Sequence, residues 1–294
     1  MATSLGGMER TGATELKVEL PAGEFRAIRW SEGPYGLTEG GPAVFLHGLS
    51  GTADVWDATV QWLGDSRPRC FALDQRGHGG SVVPESGYGV RDYLDDLVSF
   101  VRYLGEEVRL VGHSMGGRVA MVAASRYPEL FSSVVVVDIG PEAWKKNIEQ
   151  TVDLLMSRPD EFPDHETALE VAKFLVSGRG DEAAERFVSE RLIERPDGSY
   201  VWRTPLEPLI ETVTRQRSKS YWQDWYNISV PLLLVRGKRT KELRDNVYQK
   251  MIWSVSDIWA VEIDDVGHNI PMAAPLDLAG ILTEFWEELD SYYD

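Results

Sequence analysis

The chain has 294 residues, 43% of them hydrophobic, enough to bury a sizeable core as one large domain or as a domain with an insertion. Its 30 Lys and Arg stand against 47 Asp and Glu, a formal charge of -17 that repels phosphate backbones and anionic membranes at long range, so nucleic acid is not an expected partner. The single cysteine, Cys70, excludes an internal disulfide, no apolar run approaches the roughly 20 residues that span a bilayer, and residues 1–10 lack the charged-then-apolar pattern of a secretory signal. The expected setting is cytoplasmic, away from the membrane.

Residues 1–13 are small, polar and glycine-containing, and read as a frayed tail. Leu16 to Leu20 and Glu24 to Trp30 alternate apolar with polar around Pro21-Ala22-Gly23, which predicts an antiparallel hairpin at a sheet edge. Buried strands are predicted from Pro42 to His47 and from Arg69 to Leu73, with a helix from Asp54 to Leu63 between them. A second helix from Val90 to Leu104 carries Tyr93, Leu94, Leu97, Val101 and Leu104 on one face. The run from Ser133 to Asp138 is the most β-prone of the chain.

Strands alternating with helices at these spacings predict a doubly wound, mostly parallel sheet, in which ligands bind at the carboxyl ends of strands. His47, Asp74, Ser114 and Asp138 all fall at such ends. From Glu142 to about Tyr226 only amphipathic helix patterns are evident, through Ile148, Val152 and Leu155, Ala168, Val171 and Leu175, and Ala183, Phe187 and Leu192. The strand pattern resumes at Val230 to Gly237 and Asp257 to Ile263, and Leu276 to Leu289 is a final helix.

The stretch Val108-Arg-Leu-Val-Gly-His-Ser-Met-Gly-Gly places Ser114 between a short apolar strand and a helix. So sharp a corner strains the backbone at Ser114, and side chains two residues to either side would collide, hence Gly112 and Gly116. Gly-x-Ser-x-Gly in this setting resembles the nucleophile elbow of the α/β-hydrolase superfamily, whose serine attacks acyl carbons.

The resemblance implies an α/β-hydrolase fold with a core of residues 1–140 and 228–294 and an inserted helical cap of residues 141–227. A serine hydroxyl needs a base to take its proton, commonly a histidine held by a carboxylate. His268, in Val-Gly-His-Asn-Ile-Pro after the last strand, stands where the superfamily has that base. The usual acid position, a few residues beyond Gly237, holds Thr240, which cannot carry the charge. Asp138, at the tip of the preceding strand, resembles the acid that some superfamily members use. Glu242, Asp245 and the cap residue Glu207 remain alternatives. The resemblance also implies an oxyanion hole from the backbone N–H groups of Met115 and of Leu49, after His47-Gly48.

No metal-binding pattern, dinucleotide fingerprint or phosphate-binding loop occurs in the chain, so neither metal nor cofactor is expected. Asp74 and Arg76, in a signature that resembles the superfamily's sheet-top brace, are expected to be structural. The expected partner is a small-molecule substrate with an apolar or aromatic part. The candidate contacts are Trp144, Trp222 and His47, the last through the oxyanion loop that it shapes. The leading function is hydrolysis of a carboxylic ester, lactone or thioester through an acyl-enzyme. A carbon-carbon hydrolase or lyase on the same residues is the alternative enzyme, and a slow-turnover small-molecule receptor the non-enzyme one. Epoxide hydrolase and dehalogenase are disfavoured, because those relatives carry an aspartate at the place of Ser114.

Overall fold

A computed structural model describes residues 12–37, 40–142, 145–175 and 180–291. The chain opens with an antiparallel hairpin, β1 (Ala13–Leu20) and β2 (Gly23–Trp30), followed by β3 (Ala43–Leu46), α1 (Asp57–Trp62) and β4 (Cys70–Leu73). Next come α2 (Val90–Leu104), β5 (Val108–His113), α3 (Met115–Arg126) and β6 (Phe131–Val137). The chain then leaves the sheet through α4 (Lys145–Met156), β7 (Glu161–Phe162), α5 (His165–Leu175), α6 (Gly180–Arg191), β8 (Leu192–Glu194), β9 (Tyr200–Trp202), α7 (Leu206–Gln216) and α8 (Trp222–Tyr226). It returns with β10 (Leu232–Gly237), α9 (Asp245–Trp253), β11 (Ile258–Ile263), α10 (Ile270–Ala273) and α11 (Pro275–Asp290).

Eight strands form one sheet in the order β1-β2-β4-β3-β5-β6-β10-β11, parallel from β4 onward. Strands β3, β4, β5 and β10 are buried at every residue, as helices on both faces require, and β6 departs from this only at Ser132. One face packs Val44, Leu110, Val134 and Leu234 against α2, α3 and α9. The other packs Phe45, Val111, Val135 and Leu233 against Trp56, Val60, Leu282 and Trp286, from the α1 region and α11. Neighbouring residues of one strand thus enter opposite cores, as the two-residue period of a strand dictates.

The excursion between β6 and β10 is not purely helical. Three short strands pair antiparallel in the order β7-β9-β8. They close over a small core of Phe162, Ala168, Ala172, Ala184, Val188 and Leu192. This corrects the expectation of helices alone: strands of two or three residues are too short to display an alternating pattern. No helix among the described residues is long and apolar enough to cross a membrane.

Candidate active site

Strand β5 runs straight into α3 at Ser114, whose backbone lies at φ 53°, ψ -115°, outside the region non-glycine residues favour. Two hydrogen bonds hold the bend, Ser114 N–H to the Val137 carbonyl at 2.9 Å and Gly116 N–H to the His47 carbonyl at 3.2 Å. A Cβ at Gly112 would lie 2.3 Å from the Gly116 carbonyl oxygen, and one at Gly116 would lie 2.5 Å from that of Leu46. These glycines are therefore needed for space, where backbone meets backbone.

Because β6 and β10 are parallel neighbours with Val137 opposite Val235, the residue after Val137 meets the turn that follows β10. Asp138 turns into that position with φ 53° and a fully buried carboxylate. Its Oδ1 accepts from Gly237 N–H at 3.0 Å, and its Oδ2 accepts from Thr240 Oγ1 at 2.6 Å and from His268 Nδ1 at 2.7 Å. The other imidazole nitrogen, His268 Nε2, lies 2.8 Å from Ser114 Oγ. With Nδ1 donating to the carboxylate, Nε2 is the acceptor and the serine hydroxyl the donor. Ser114, His268 and Asp138, far apart in the chain, thus form one hydrogen-bonded line.

Of the alternative acids, Glu242 reaches Arg217 at 3.5 Å and Asp245 reaches Arg236 at 3.1 Å, while Glu207 lies close enough to Arg158 to act on its charge. His113 donates from Nε2 to the His268 carbonyl at 2.8 Å, and burial drives its pKa down to about 3, so it stays neutral. It holds the backbone of the loop that carries the candidate base, a role its place within the elbow did not announce.

The loop after β3 is braced from behind. His47 donates from Nδ1 to the Gly48 carbonyl at 2.8 Å and accepts Gln75 N–H on Nε2 at 3.0 Å. His78 accepts Ser50 N–H at 3.1 Å. Burial holds His47 well below its ordinary pKa and His78 at about 4. Completely buried, with both nitrogens engaged and lining neither cavity over Ser114, His47 shapes the loop, which corrects its expected contact role. Asp74 accepts Ala53 N–H at 2.6 Å and Gly80 N–H at 2.8 Å, and Arg76 grips Asp96 through two hydrogen bonds. Both are built into the scaffold.

Leu49 and Met115 line a narrow cavity together with Ser114, and Met115 opens α3, where helix N–H groups point outward unpaired by the helix itself. This adjoins a wider, open cavity over Ser114 and His268, walled by Leu154, Arg191, Arg217, Glu242 and Met272 among others. No tryptophan, tyrosine or phenylalanine lines either cavity among the described residues. Trp222, expected at the pocket, instead stacks on Tyr226 with ring centroids 5.5 Å apart and has Lys250 Nζ 3.8 Å above its ring. Its short helix, α8, packs on α3 and pairs Asp224 with Arg126, the last residue of α3, at the end opposite Ser114, which corrects that expectation. Trp144 lies outside the described residues. The arginines of the pocket were missed. For Arg118 the available signal was its spacing, one helical turn beyond Ser114.

No group of three or more His, Cys, Asp or Glu side chains that could hold a metal ion occurs among the described residues.

A family model described as the alpha/beta hydrolase family matches residues 43–281. Over 252 residues the chain is 29% identical to 2-(acetamidomethylene)succinate hydrolase of Mesorhizobium japonicum, an alignment covering 82% of this chain and 86% of the relative. It is 28% identical over 272 residues to the esterase Rv0045c of Mycobacterium tuberculosis, covering 89% and 86% respectively. A crystal structure of E-2-(acetamidomethylene)succinate hydrolase superposes with a TM-score of 0.84 at 23% identity, covering 94% of this chain and 99% of that one, a likeness of fold.

Proposed function

Since the chain belongs to the alpha/beta hydrolase family, we propose that it is a serine hydrolase cleaving an ester-type acyl bond, of an ester, lactone or thioester, through an acyl-enzyme on Ser114. The observation that carries this reading is the line from Ser114 Oγ through the His268 imidazole to Asp138, with contacts of 2.8 and 2.7 Å. The esterase of Mycobacterium tuberculosis at 28% identity supports the ester class.

In the proposed sequence His268 Nε2 takes the hydroxyl proton as Ser114 Oγ attacks the acyl carbon. The imidazolium is held by the buried Asp138 carboxylate, whose other oxygen keeps the Gly237 N–H. Charge that develops on the carbonyl oxygen meets the N–H groups of Met115 and Leu49. The proton on His268 passes to the leaving oxygen or sulfur, whose bond to the acyl carbon breaks. Water, deprotonated by His268, then releases the acid and restores Ser114.

The second reading, attack on an acyl group bound to nitrogen, is favoured by the relative of Mesorhizobium japonicum, named for a substrate with an acetamido group. One experiment addresses both. A fluorophosphonate label is read by intact mass in the wild type and Ser114→Ala, followed by turnover of chromogenic esters, lactones, thioesters and N-acetyl enamines. Labelling at Ser114 with ester turnover is expected. Labelling with turnover of the enamine alone would replace the ester reading with the second one, and no labelling would overturn both.

A further inference from the structure

We propose that Arg118 and Gln216 form an anion subsite beside Ser114, which fits the enzyme to acyl substrates carrying a carboxylate a few carbons from the scissile carbonyl. The inference rests on the serine-hydrolase reading for the identity of the bond cleaved, and on the geometry alone for the anion.

Arg118 lies on α3 one turn after Ser114, its N–H bonded to the Ser114 carbonyl at 3.0 Å. Residues spaced by four share a helix face, so a side chain at 118 reaches the cavity onto which the serine opens. Arg118 and Ser114 do line one cavity, and Gln216 and Arg217, at the end of α7, line it with them. Arg118 is only 5% exposed and Gln216 only 2%.

Both present donors without acceptors. Neither Arg118 Nε nor Gln216 Nε2 has a hydrogen-bond partner among the described residues, although both atoms are buried. Among the described residues the guanidinium of Arg118 has one hydrogen bond, from Nη2 to the Gly140 carbonyl at 3.3 Å, and it lies 5.7 Å from the centroid of the Tyr221 ring. A buried donor left unmatched is costly, and a buried cation without a counter-ion more so.

The local charges do not cancel. An adjoining cavity brings Arg118, Arg217 and Arg244 together with Glu142 and Glu242. Arg244 Nη2 pairs with Glu142 at 3.0 Å, and Arg217 Nη2 reaches Glu242 at 3.5 Å. Arg118 is the remaining cation, and no carboxylate among the described residues lies within ion-pair distance of it. Burial, with repulsion from Arg217, lowers its pKa to about 10, a guanidinium still charged at neutral pH but short of compensation. A ligand carboxylate would supply acceptors for Nε and for Gln216 Nε2 and neutralise the cation in one step. A neutral acyl chain would leave both donors unmatched.

Charge-assisted hydrogen bonds of this kind translate into about tenfold to hundredfold discrimination. The test compares the mono-p-nitrophenyl ester of glutaric acid with its methyl-capped counterpart, of the same reach and no charge. The wild type is expected to show kcat/KM at least about tenfold higher on the anionic ester, Arg118→Met to bring the ratio near one, and Arg118→Lys to restore part of it. As a readout independent of turnover and of any variant's folding, glutarate but not glutaramide is expected to raise the wild-type Tm. A wild-type ratio near one together with no glutarate shift would overturn the anion subsite while leaving the hydrolase intact. A glutarate shift that Arg118→Lys retains, with no turnover of any ester, would support the subsite and sink the ester-hydrolase reading instead.

Discussion

Thr240 donates its hydroxyl hydrogen bond to Oδ2 of Asp138 at 2.6 Å, the same oxygen that accepts from His268 Nδ1 at 2.7 Å. The loop after β10 thus contributes a neutral donor at the place where the superfamily's commonest acid would stand, and the charge comes from the tip of β6. The two solutions exclude each other. A second carboxylate at 240 would sit against Asp138, and one of the pair would have to hold a proton.

Asp138→Asn is therefore expected to lower kcat by about 10⁴-fold, since an amide cannot stabilise the imidazolium and can select the wrong tautomer. The far-UV circular dichroism should be unchanged. Thr240→Val, which removes the hydrogen bond to Asp138 and the acceptor of Glu242 N–H but no charge, should cost about tenfold in kcat. Loss of turnover in Glu242→Gln or Asp245→Asn, with Asp138→Asn active, would assign the acid elsewhere.

The double variant Asp138→Asn with Thr240→Asp moves the carboxylate from one strand tip to the neighbouring loop. It should recover part of what Asp138→Asn loses, whereas Thr240→Asp alone should be impaired by the like-charge pair. Steady-state kinetics of the three variants against the wild type form a double-mutant cycle. Additive losses would mean that position 240 cannot present a carboxylate to His268.

The sequence was most legible where a pattern is both local and repeated. The helix predicted over Val90–Leu104 is found with those bounds, because Gly89 and Gly105 frame a clear apolar face. Ser114, His268 and Asp138 are legible in the sequence because strand ends and glycine turns leave marks in the chain. The pocket walls leave no such marks. Arg118 and Gln216 are polar residues on helices, where sequence suggests a solvated face. Their burial is decided only when the segment between β6 and β10 folds over the sheet. The helix over Asp245–Trp253 leaves no clear mark in the sequence, since its buried residues Val247, Tyr248 and Met251 are few and crowded among charges.

Stability should carry the signature of the buried His78. Its pKa, 6.5 in the unfolded chain, is held at about 4 in the fold by burial, with Nδ1 donating to the Arg76 carbonyl. Above pH 6.5 both states are neutral and its contribution is complete. As pH falls from 6.5 toward about 4 the unfolded chain takes a proton that the fold refuses, so stability drops by about 1.4 kcal/mol per pH unit. Glu190 acts in the opposite sense, because burial lifts its pKa from 4.5 to about 7 and the fold retains a proton over that range. The informative quantity is therefore the difference between wild type and His78→Gln in urea titrations across this window. The variant should lose less stability on acidification, and parallel curves would mean that His78 is already charged in the fold.

The contact between β3 and α3 gives a sharper test of how the loop after β3 and Ser114 are kept in register. A Cβ on Gly116 would meet the Leu46 carbonyl oxygen at 2.5 Å and Leu46 Cβ at 2.6 Å. The closest of these is a strand atom that cannot rotate aside, so α3 would have to withdraw. Withdrawal would stretch the 3.2 Å bond from Gly116 N–H to the His47 carbonyl and carry Met115 away from Leu49. Gly116→Ala is thus expected to destabilise by about 1–3 kcal/mol and to depress kcat more than it raises KM. Gly280 in α11 has nothing within 4 Å of an added Cβ, and Gly280→Ala should instead stabilise by about 0.5–1 kcal/mol through the chain entropy of the unfolded state. Guanidinium midpoints and kcat for the pair separate crowding from helix propensity, and a stabilised, fully active Gly116→Ala would show that the junction between β3 and α3 is loose.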